Sequence, residues 1–338
     1  MFIAENLNQF KLLFVNQLKD MLSDDELGAF ILVLANSHQD KYLQGELEDA
    51  LASTFIALKD NFIAAKLEAT QDDIDVFEQL LELELDAIPV WQNRTIGDWE
   101  VTYNAMRRLR PARASSQVLN SIDQPYDGST FHFNKPFLKP EILWEGEYKG
   151  FNSRVLFNKF PFSEYHLLIV LSPENNCPQL LTWADHQYVC SLAGELAQVI
   201  PGFGIGFNSL AAGASVNHLH FQGFIRERSF AIEAGHWSHN DGETEYPLTV
   251  KRFSDAESSW DYLQQLISQN KAFNCLYRGG KCYVVPRRFQ GTVILPEWLA
   301  GAGWIDVAGA VTVSESETFA RLTKQQVAAG IGLLKDAD

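Results

Sequence analysis

The sequence predicts an α+β protein in which a helical region precedes a mostly antiparallel sheet. Two observations lead to this fold class. Up to about residue 90, apolar residues recur at helical spacing, and from about residue 97 Gly, Pro and aromatic residues become frequent while the periodicity falls towards two. Because the predicted strands follow one another with few intervening helices, mostly antiparallel pairing is expected.

Residues 5–90 are predicted to be helical. A capping box at Ser23 and Glu26 predicts that the second helix begins at Ser23, and Thr70 with Asp73 marks a later start. The longest stripe is typical of one amphipathic helix and runs through Leu43, Leu47, Leu51, Phe55, Leu58 and Phe62. These stripes are interpreted as core packing in a helical appendage or a subunit contact, not as a site.

Short strands are predicted in the remainder of the chain. Thr182, with Asp185 three residues later, also predicts a helix over residues 182–199. The strands are placed near residues 99–105, 141–148, 153–160, 164–171, 203–208, 216–224, 273–278 and 281–286. The chain is thus divided into a helical region at 1–96 and a region of strands from 97 onwards.

The composition limits the classes of partner. The 338 residues carry a formal charge of −16, which argues against a broad basic surface that would hold nucleic acid. No run approaches the ~18 apolar residues of a membrane span, and the first residues lack a basic segment before an apolar core. The four cysteines are spread singly, which favours a reduced, cytoplasmic setting. A soluble cytoplasmic protein without a nucleic-acid or membrane partner is therefore expected.

The predicted strand at 216–224 concentrates the polar chemistry. Because alternate side chains of a strand share a face, His218, His220 and Gln222 point one way, while Leu219 and Phe221 suit a buried contact on the other. Hydrogen-bonded structural histidines are one alternative. A zinc site is another, but Gln is a poor third ligand and no nearby Cys completes a set, so no metal or other cofactor is expected.

Nucleophilic catalysis accounts best for this face. A neutral imidazole can attack an electrophilic phosphorus and leave again, which splits one displacement into two easier ones. A histidine with an unperturbed pKa near ~6.5 is largely neutral at cell pH and needs orientation more than activation. The amide of Gln222 can donate a hydrogen bond to a phosphoryl oxygen but is a poor general acid or base.

The five residues 218–222 resemble the His-x-His-x-Gln motif of the transferase branch of the histidine-triad superfamily. The context Gly206–Leu210 and Ala214–His220 is most similar to GDP-hexose phosphorylases (GDP-L-galactose and GDP-D-glucose), and next to diadenosine tetraphosphate phosphorylases and galactose-1-phosphate uridylyltransferases. The resemblance covers about residues 97–290. It implies a histidine-triad-like antiparallel sheet with flanking helices, in two tandem halves at 97–240 and 241–338.

The resemblance also implies roles for individual residues. His220 becomes the nucleophile, His218 an orienting residue, and Gln222 the group that steadies the nucleotidyl-histidine. Four more positions match residues of the nucleotide pocket: Asn208 and Ser215 at the α-phosphate, Asn158 at the nucleoside and Lys159 at a phosphate. For Asn208 and Ser215, ordinary turn and strand-end hydrogen bonding is an equal alternative.

Four arginines fall within residues 107–113 of an otherwise acidic chain. Arg offers a planar donor fork that suits phosphate, whereas a solvated charged face is the alternative for any such run. The resemblance to GDP-hexose phosphorylases favours a phosphate role for Arg110 and Arg113. For Arg287 and Arg288 the alternatives are a reach into the pocket and a surface position, and the surface is favoured.

The predicted function is that of a nucleotidyltransferase of the phosphorylase type. Its substrates would be a nucleotide sugar such as a GDP-hexose and inorganic phosphate, with a nucleotidyl-histidine on His220. The alternatives are a diadenosine polyphosphate phosphorylase (ATP adenylyltransferase) acting on a dinucleoside polyphosphate, a related histidine-triad hydrolase, and a non-catalytic nucleotide-binding protein. Base, sugar and oligomeric state do not follow from the sequence.

Overall fold

The computed structural model describes residues 1–24, 26–83, 85–110 and 119–336. Its helices are α1 (Leu7–Asp20), α2 (Leu27–Ser37), α3 (Lys41–Ile63), α4 (Gln71–Glu82), α5 (Trp183–Val199), α6 (Ala256–Ser268), α7 (Trp304–Val307), α8 (Ser316–Arg321) and α9 (Lys324–Gly332). Its strands are β1 (Gln92–Ile96), β2 (Trp99–Tyr103), β3 (Ile142–Tyr148), β4 (Phe151–Phe157), β5 (Leu167–Leu171), β6 (Phe203–Asn208), β7 (His220–Ile225), β8 (Lys251–Phe253), β9 (Ala272–Arg278), β10 (Lys281–Arg287) and β11 (Ala310–Val313).

Helices α1–α4 confirm the predicted helical region, with one correction at the start of α2. This helix begins at Leu27, not at Ser23, and Glu26 makes no capping bond with its side chain. The reason is that the turn ending α1 already uses the backbone of Ser23, whose N–H donates to the carbonyl of Asp20. The predicted start of α4 is confirmed, because the hydroxyl of Thr70 accepts the amide of residue 73.

One antiparallel sheet dominates the fold. Eight strands lie in the order β3-β4-β5-β7-β6-β9-β10-β8, and every neighbouring pair is antiparallel. A small second sheet has the order β1-β2-β11. Strand β9 comes from the region after residue 241 and pairs with β6 from the region before it, so the sheet is continuous across the two predicted halves. The predicted α+β class with a mostly antiparallel sheet is confirmed.

Strand β7 lies in the middle of the sheet, but it is shorter than predicted. It begins at His220, whereas the sequence placed its start at residue 216. The ladder to β5 ends where His220 faces Val170. At His220 the side chain of Gln179 also bonds the backbone: its amide oxygen accepts the N–H of His220 at 2.8 Å, and its amide nitrogen donates to the carbonyl of His220 at 3.0 Å and to that of Asn208, the last residue of β6. His218 therefore lies in a bend and not in the strand.

The two faces of β7 are covered differently. Phe221 packs against Phe207 at 5.2 Å in the core that also contains α5, whose predicted capping box of Thr182 and Asp185 is confirmed. On the other face, Phe224 stacks on Trp304 at 4.8 Å. The alternation predicted for β7 thus holds from His220 onwards, and it directs His220 and Gln222 away from the α5 side.

Helix α1 packs on the hairpin of β4 and β5. Phe14 contacts Phe157 at 4.9 Å, and Phe10 contacts Tyr165 at 5.7 Å. Within the described residues, no helix has both the length and the apolar character needed to cross a membrane.

Candidate active site

A cavity of about 630 Å³ opens on the face of β7 that carries His220 and Gln222. It brings together most of the side chains that the sequence singled out: Arg110, Asn158, Lys159, Asn208, Ser215, His220 and Gln222. His218 is buried but is not part of the cavity lining. Arg113 lies outside the described residues, so its predicted phosphate role has no structural counterpart here.

The hydrogen bonds of His220 define its tautomer. Its Nδ1 lies 2.8 Å from the carbonyl oxygen of His218, and a carbonyl can only accept, so Nδ1 carries the proton. The lone pair is then on Nε2. Burial lowers the pKa of His220 to about 4, because desolvation disfavours the imidazolium. The ring is therefore neutral at pH 7, with a nucleophilic nitrogen on a residue that lines the cavity.

Trp304 fixes the orientation of Gln222. The indole N–H of Trp304 donates to Oε1 of Gln222 at 2.7 Å, and an indole nitrogen is only a donor. The amide oxygen of Gln222 is thereby assigned, and its NH2 group remains as a donor. Because Gln222 lies two residues after His220 on the same face, this NH2 group can stabilise charge on a phosphoryl oxygen held near His220.

Trp304 reaches this position because β6 has no side chain in its way. A Cβ on Gly206 would lie 2.2 Å from the indole ring. The indole thus occupies the space over Gly206 and stacks on Phe224. The sequence pattern marked Gly206 as part of a motif context, and the structure gives the physical reason for the glycine.

Asn208 is held by two donors. Its Oδ1 accepts the side-chain amide of Asn274 at 2.6 Å and the backbone N–H of Trp304 at 2.7 Å. With the oxygen engaged, the NH2 group of Asn208 is the part that can serve a ligand in the cavity. Ser215 is exposed at the edge of the same cavity, on a loop that packs closely on Ala302 because Gly213 has a φ of +100°.

His218 supports the site from behind. Its Nδ1 accepts the backbone N–H of Phe133 at 3.2 Å, and its carbonyl accepts the proton of His220. Burial, and secondarily the neighbouring ring of His220, lowers the pKa of His218 to about 4. Its ring stacks on that of Phe133, which also contacts the ring of His220 at 4.9 Å. This arrangement fits the orienting role expected for His218.

A third buried histidine lies beside the cavity. His166 is fully buried, its Nδ1 accepts the backbone N–H of Phe162 at 3.3 Å, and its Nε2 lies 3.4 Å from the amide nitrogen of Asn158. Burial lowers the pKa of His166 to about 3. Because Nδ1 accepts and the ring is neutral, Nε2 carries the proton and cannot accept from the amide of Asn158. Asn158 is held at the cavity wall by its own side-chain oxygen, which accepts the N–H of Phe160 at 3.0 Å.

Lys159 is engaged with the N-terminal helices. Its ammonium forms an ion pair of 2.5 Å with Asp73 at the start of α4, and both side chains are largely buried. Further residues of the helical region line the cavity, including Glu26, Gly28, Glu68 and Asp72. The interpretation of this region as a mere appendage or subunit contact was therefore incomplete, because its helix starts form one wall of the cavity.

The C-terminal region supplies another wall, which carries charges that the sequence did not reveal. Asp306 lines the cavity on the segment that includes Gly303 and Trp304, and Arg107 lines it from the arginine cluster. Burial raises the pKa of Asp306 to about 6. The interpretation of Arg287 as a surface charge was wrong. Arg287 is buried, and its guanidinium donates to the carbonyl of Ala302 at 2.7 Å, which holds the wall from behind.

Sequence reasoning missed Trp304 and Asp306. Trp304 is 82 positions from its partner Gln222, so no local periodicity connects the two. The one local signal is a pair of glycines, Gly301 and Gly303, around an apolar segment with a tryptophan and an acid. Such a pattern indicates a close approach of backbone but does not name the partner.

Comparison with known proteins shows what part of this chain is similar to. Residues 98–224 match the family model "GDPGP1-like, N-terminal domain". The chain is 37% identical over 123 residues to GDP-D-glucose phosphorylase 1 of Danio rerio, a match that covers 36% of this chain and 35% of that protein. It is 32% identical over 130 residues to the Homo sapiens protein of the same name, covering 36% and 33%. GDP-L-galactose phosphorylase 1 of Arabidopsis thaliana is 29% identical over 147 residues, covering 38% and 32%.

These matches span only about a third of the length of the curated relatives. The matched family-model segment contains β2–β6 and all but the last residue of β7, and thus the whole His218–Gln222 motif.

Two solved structures resemble the whole fold. Yeast Ap4A phosphorylase Apa2 superposes with a TM-score of 0.52 at 14% identity, covering 80% of this chain and 96% of that chain. Its complex with Ap4A gives a TM-score of 0.50 at 15% identity, covering 80% and 99%. At this identity the likeness concerns the fold, and it confirms the histidine-triad-like architecture that the motif predicted.

Residues 98–224 are thus similar to the GDPGP1-like N-terminal domain, the chain is similar over about a third of their length to GDP-D-glucose and GDP-L-galactose phosphorylases, and its fold is like that of yeast Ap4A phosphorylase.

Proposed function

We propose that the protein is a nucleotidyltransferase of the phosphorylase type that acts on a GDP-hexose and inorganic phosphate through a nucleotidyl-histidine on His220. The observation that carries this proposal is the tautomer of His220, whose Nδ1 proton is donated to the carbonyl of His218 so that the Nε2 lone pair remains. The names of the relatives support the substrate class, since they are GDP-D-glucose and GDP-L-galactose phosphorylases.

The reaction consists of two in-line displacements at the α-phosphorus. First, Nε2 of His220 forms a bond to phosphorus, and the bond from phosphorus to the bridging oxygen breaks, so hexose 1-phosphate leaves with the electron pair. Second, an oxygen of inorganic phosphate attacks the same phosphorus, the P–N bond breaks, and His220 recovers its lone pair. The products are GDP and hexose 1-phosphate, and no redox partner is needed.

The cavity residues take positioning and charge-stabilising roles in this scheme. Gln222 and Asn208 present NH2 groups to the phosphoryl oxygens, and Ser215 lies at the same edge. His218 acts through its carbonyl on the tautomer of His220 and is a positioning residue. Asn158 is proposed to contact the nucleoside. Phosphate contacts are proposed for three cationic residues, of which Arg113 lies outside the described residues: Lys159, Arg110 and Arg113.

The wider organisation belongs to the same proposal. The regions 1–96, 97–240 and 241–338 act as a helical region, a catalytic half and a second half that completes the sheet. A cytoplasmic location without nucleic-acid or membrane partners agrees with the formal charge of −16. The proposal requires no metal.

A substrate panel tests the reaction and its main rival. The protein is incubated with inorganic phosphate and, in turn, GDP-hexoses, UDP-hexoses and diadenosine tetraphosphate, and nucleoside diphosphate release is measured. We expect turnover of a GDP-hexose to exceed that of the other substrates. Preferred cleavage of diadenosine tetraphosphate would assign the diadenosine polyphosphate phosphorylase activity instead, and equal turnover without phosphate would indicate a hydrolase.

Trapping the intermediate tests the nucleophile. The wild type is incubated with a GDP-hexose that is labelled at the α-phosphate, and inorganic phosphate is omitted. The protein should then retain acid-labile label. We expect His220→Ala to lose this label and at least about 10³-fold in turnover, because the first displacement has no nucleophile. His236→Ala, at an exposed position outside the cavity, is the matched control. Full labelling of His220→Ala contradicts the mechanism.

A further inference from the structure

Two opposite charges line the cavity without forming an ion pair. Arg107 and Asp306 both belong to its wall, and no salt bridge of the described residues includes either of them, although the charges of Arg107 and Arg287 act on the carboxylate at longer range and lower its pKa. Charges set among protein atoms are costly unless a partner compensates them. Such an arrangement suits a ligand that supplies an acceptor to the cation and a donor to the carboxylate.

Arg107 is held in place by its surroundings. One of its nitrogens donates to the carbonyl of Phe160 at 3.3 Å, and the guanidinium lies 5.3 Å from the ring centre of Phe162. Burial lowers the pKa of Arg107 to about 10, so the group keeps its charge at pH 7. The remaining N–H groups can serve an anion in the cavity, since a guanidinium has five donors.

Asp306 is anchored on its protein side. The backbone N–H of Gly303 donates to its Oδ2 at 2.9 Å. In the part of the chain that the structure describes, no side-chain donor bonds to this carboxylate, which is partly accessible through the cavity. A phosphate oxygen beside a carboxylate would be repelled, whereas a hydroxyl would donate a hydrogen bond to it. The group that Asp306 suits is therefore a donor such as a sugar hydroxyl.

The position of this pair along β7 assigns it to one half of the substrate. On the His220 side lies the ring of Phe133, 4.9 Å from the imidazole, within an apolar end that also includes Phe131, Phe137 and Leu138. On the Gln222 side lies Trp304, two residues before Asp306. The aromatic end of the cavity suits a purine ring. The charged end, with Arg107 and Asp306, then faces the group on the other side of the α-phosphorus, which is the leaving sugar phosphate.

We propose that Arg107 and Asp306 form the subsite for the sugar phosphate, in which Arg107 holds the phosphate and Asp306 accepts a hydrogen bond from a hydroxyl of the hexose. This inference rests on the proposed phosphorylase function and adds the residues that distinguish a nucleotide sugar from other nucleotides. A dinucleoside polyphosphate would place further phosphate oxygens beside the carboxylate of Asp306, where a nucleotide sugar places a hydroxyl.

Deoxy-sugar substrates test the inference. Phosphorolysis of GDP-glucose and of its 2-, 3-, 4- and 6-deoxy analogues is compared in the wild type, Asp306→Ala and Asp306→Asn. We expect the wild type to lose about 10- to 100-fold in kcat/KM on one of the analogues, the range expected for one hydrogen bond to a charged group. Asp306→Ala should lose a similar factor on GDP-glucose itself and no longer discriminate against that analogue.

Asp306→Asn keeps the shape of the side chain and should show intermediate discrimination, which guards against a folding defect in the alanine variant. Binding of GMP should stay at the wild-type value in both variants. The melting temperature should stay near the wild-type value in Asp306→Asn, whose amide oxygen can still accept the N–H of Gly303, and should fall in Asp306→Ala, which loses this cap. Asp261→Asn on the exposed face of α6 is the matched control.

The outcomes separate the two proposals. If the wild type cleaves GDP-glucose but Asp306→Ala slows all five substrates by the same factor, the subsite is refuted and the phosphorylase function stands. If Asp306→Ala instead loses discrimination between GDP-glucose and IDP-glucose, which lacks the 2-amino group, the carboxylate contacts the base and the subsite is refuted. If the wild type cleaves no nucleotide sugar, both proposals fail together.

Discussion

The two long walls of the cavity are built on different principles. The wall of β6 and β7 carries neutral side-chain amides, and hydrogen bonds fix their orientation. Trp304 holds Gln222 in this way, and Asn274 holds Asn208. The opposite wall, from the starts of α2 and α4, carries acidic side chains and is joined to the hairpin of β4 and β5 by the ion pair of Asp73 and Lys159. The first wall is suited to reaction at the α-phosphorus, and the second is suited to selecting which substrates enter the cavity.

The largest expected effect tests the rigidity of the chemical wall. In Gly206→Ala the new methyl group would lie 2.2 Å from the indole of Trp304, so the indole must move. We expect a loss of about 1–3 kcal/mol in unfolding free energy and about 100-fold in kcat, since Gln222 loses its anchor. Urea unfolding and steady-state kinetics measure the two effects.

Gly194→Ala in α5 is the control for this prediction, because a Cβ there meets no atom within 4 Å. It should be neutral or stabilise the helix by up to about 1 kcal/mol. A Gly206→Ala enzyme with wild-type kinetics would show that the indole position does not matter for the chemical wall.

The unfolding free energy, measured as the pH is lowered, tests the buried histidines of the same wall. The pKa of His220 and that of His218 are lowered to about 4, whereas an unfolded histidine titrates near ~6.5. Between these pKa values the unfolded chain therefore binds protons that the folded chain does not. The contribution of the two neutral histidines to the unfolding free energy is full above pH 6.5 and falls as the pH drops towards 4. For one histidine the loss between pH 6.5 and 5 is about 2 kcal/mol.

Replacing His220 with Asn removes one such group, so the fall in unfolding free energy between pH 6.5 and 5 should shrink by about 2 kcal/mol. Urea unfolding at the two pH values measures it. His236→Asn at an exposed position is the comparison variant. An unchanged slope for His220→Asn would mean that this ring is as free to protonate in the folded chain as in the unfolded one.

A smaller effect is expected when the anchor of Gln222 is removed by a smaller aromatic ring, which also leaves part of the indole's space unfilled. Trp304→Phe removes the indole N–H that donates to Oε1 of Gln222 at 2.7 Å. We expect kcat to fall about tenfold and the unfolding free energy by about 1 kcal/mol, with little change in KM. Trp260→Phe, outside the cavity lining, is the control. A rise in KM alone would show that Gln222 acts in binding and not in the transition state.

The smallest effect concerns the opposite wall. In Asp73→Asn the ammonium of Lys159 loses its partner, and we expect KM for phosphate or the nucleotide sugar to fall about two- to threefold, since a freed cation attracts anionic ligands. Asp75→Asn on the same helix, outside the cavity lining, is the control. A lower melting temperature with unchanged KM would indicate that the ion pair only fastens the helices to the hairpin.

The sequence was sufficient for the parts of the site that depend on short-range order. Alternation along a strand was enough to place His220 and Gln222 on one face, and helical spacing was enough for α3 and α4. It failed where a strand ends for a tertiary reason, as at His220, whose ladder is completed by the side chain of Gln179. Asp73, Trp304 and Asp306 were missed as site residues because their positions depend on contacts between distant segments.

The contact of Gln179 with His220 has a consequence for how this site can vary. A side-chain amide occupies the place of a neighbouring strand and accepts and donates as one residue of that strand would. The backbone at the nucleophile is therefore set by the loop before α5 and not by the register of the sheet alone. A change in that loop can shift the imidazole by fractions of an ångström while every strand keeps its partners. The position of the His220 ring can thus be changed by substitutions in the loop that carries Gln179, without a change in the strands of the sheet.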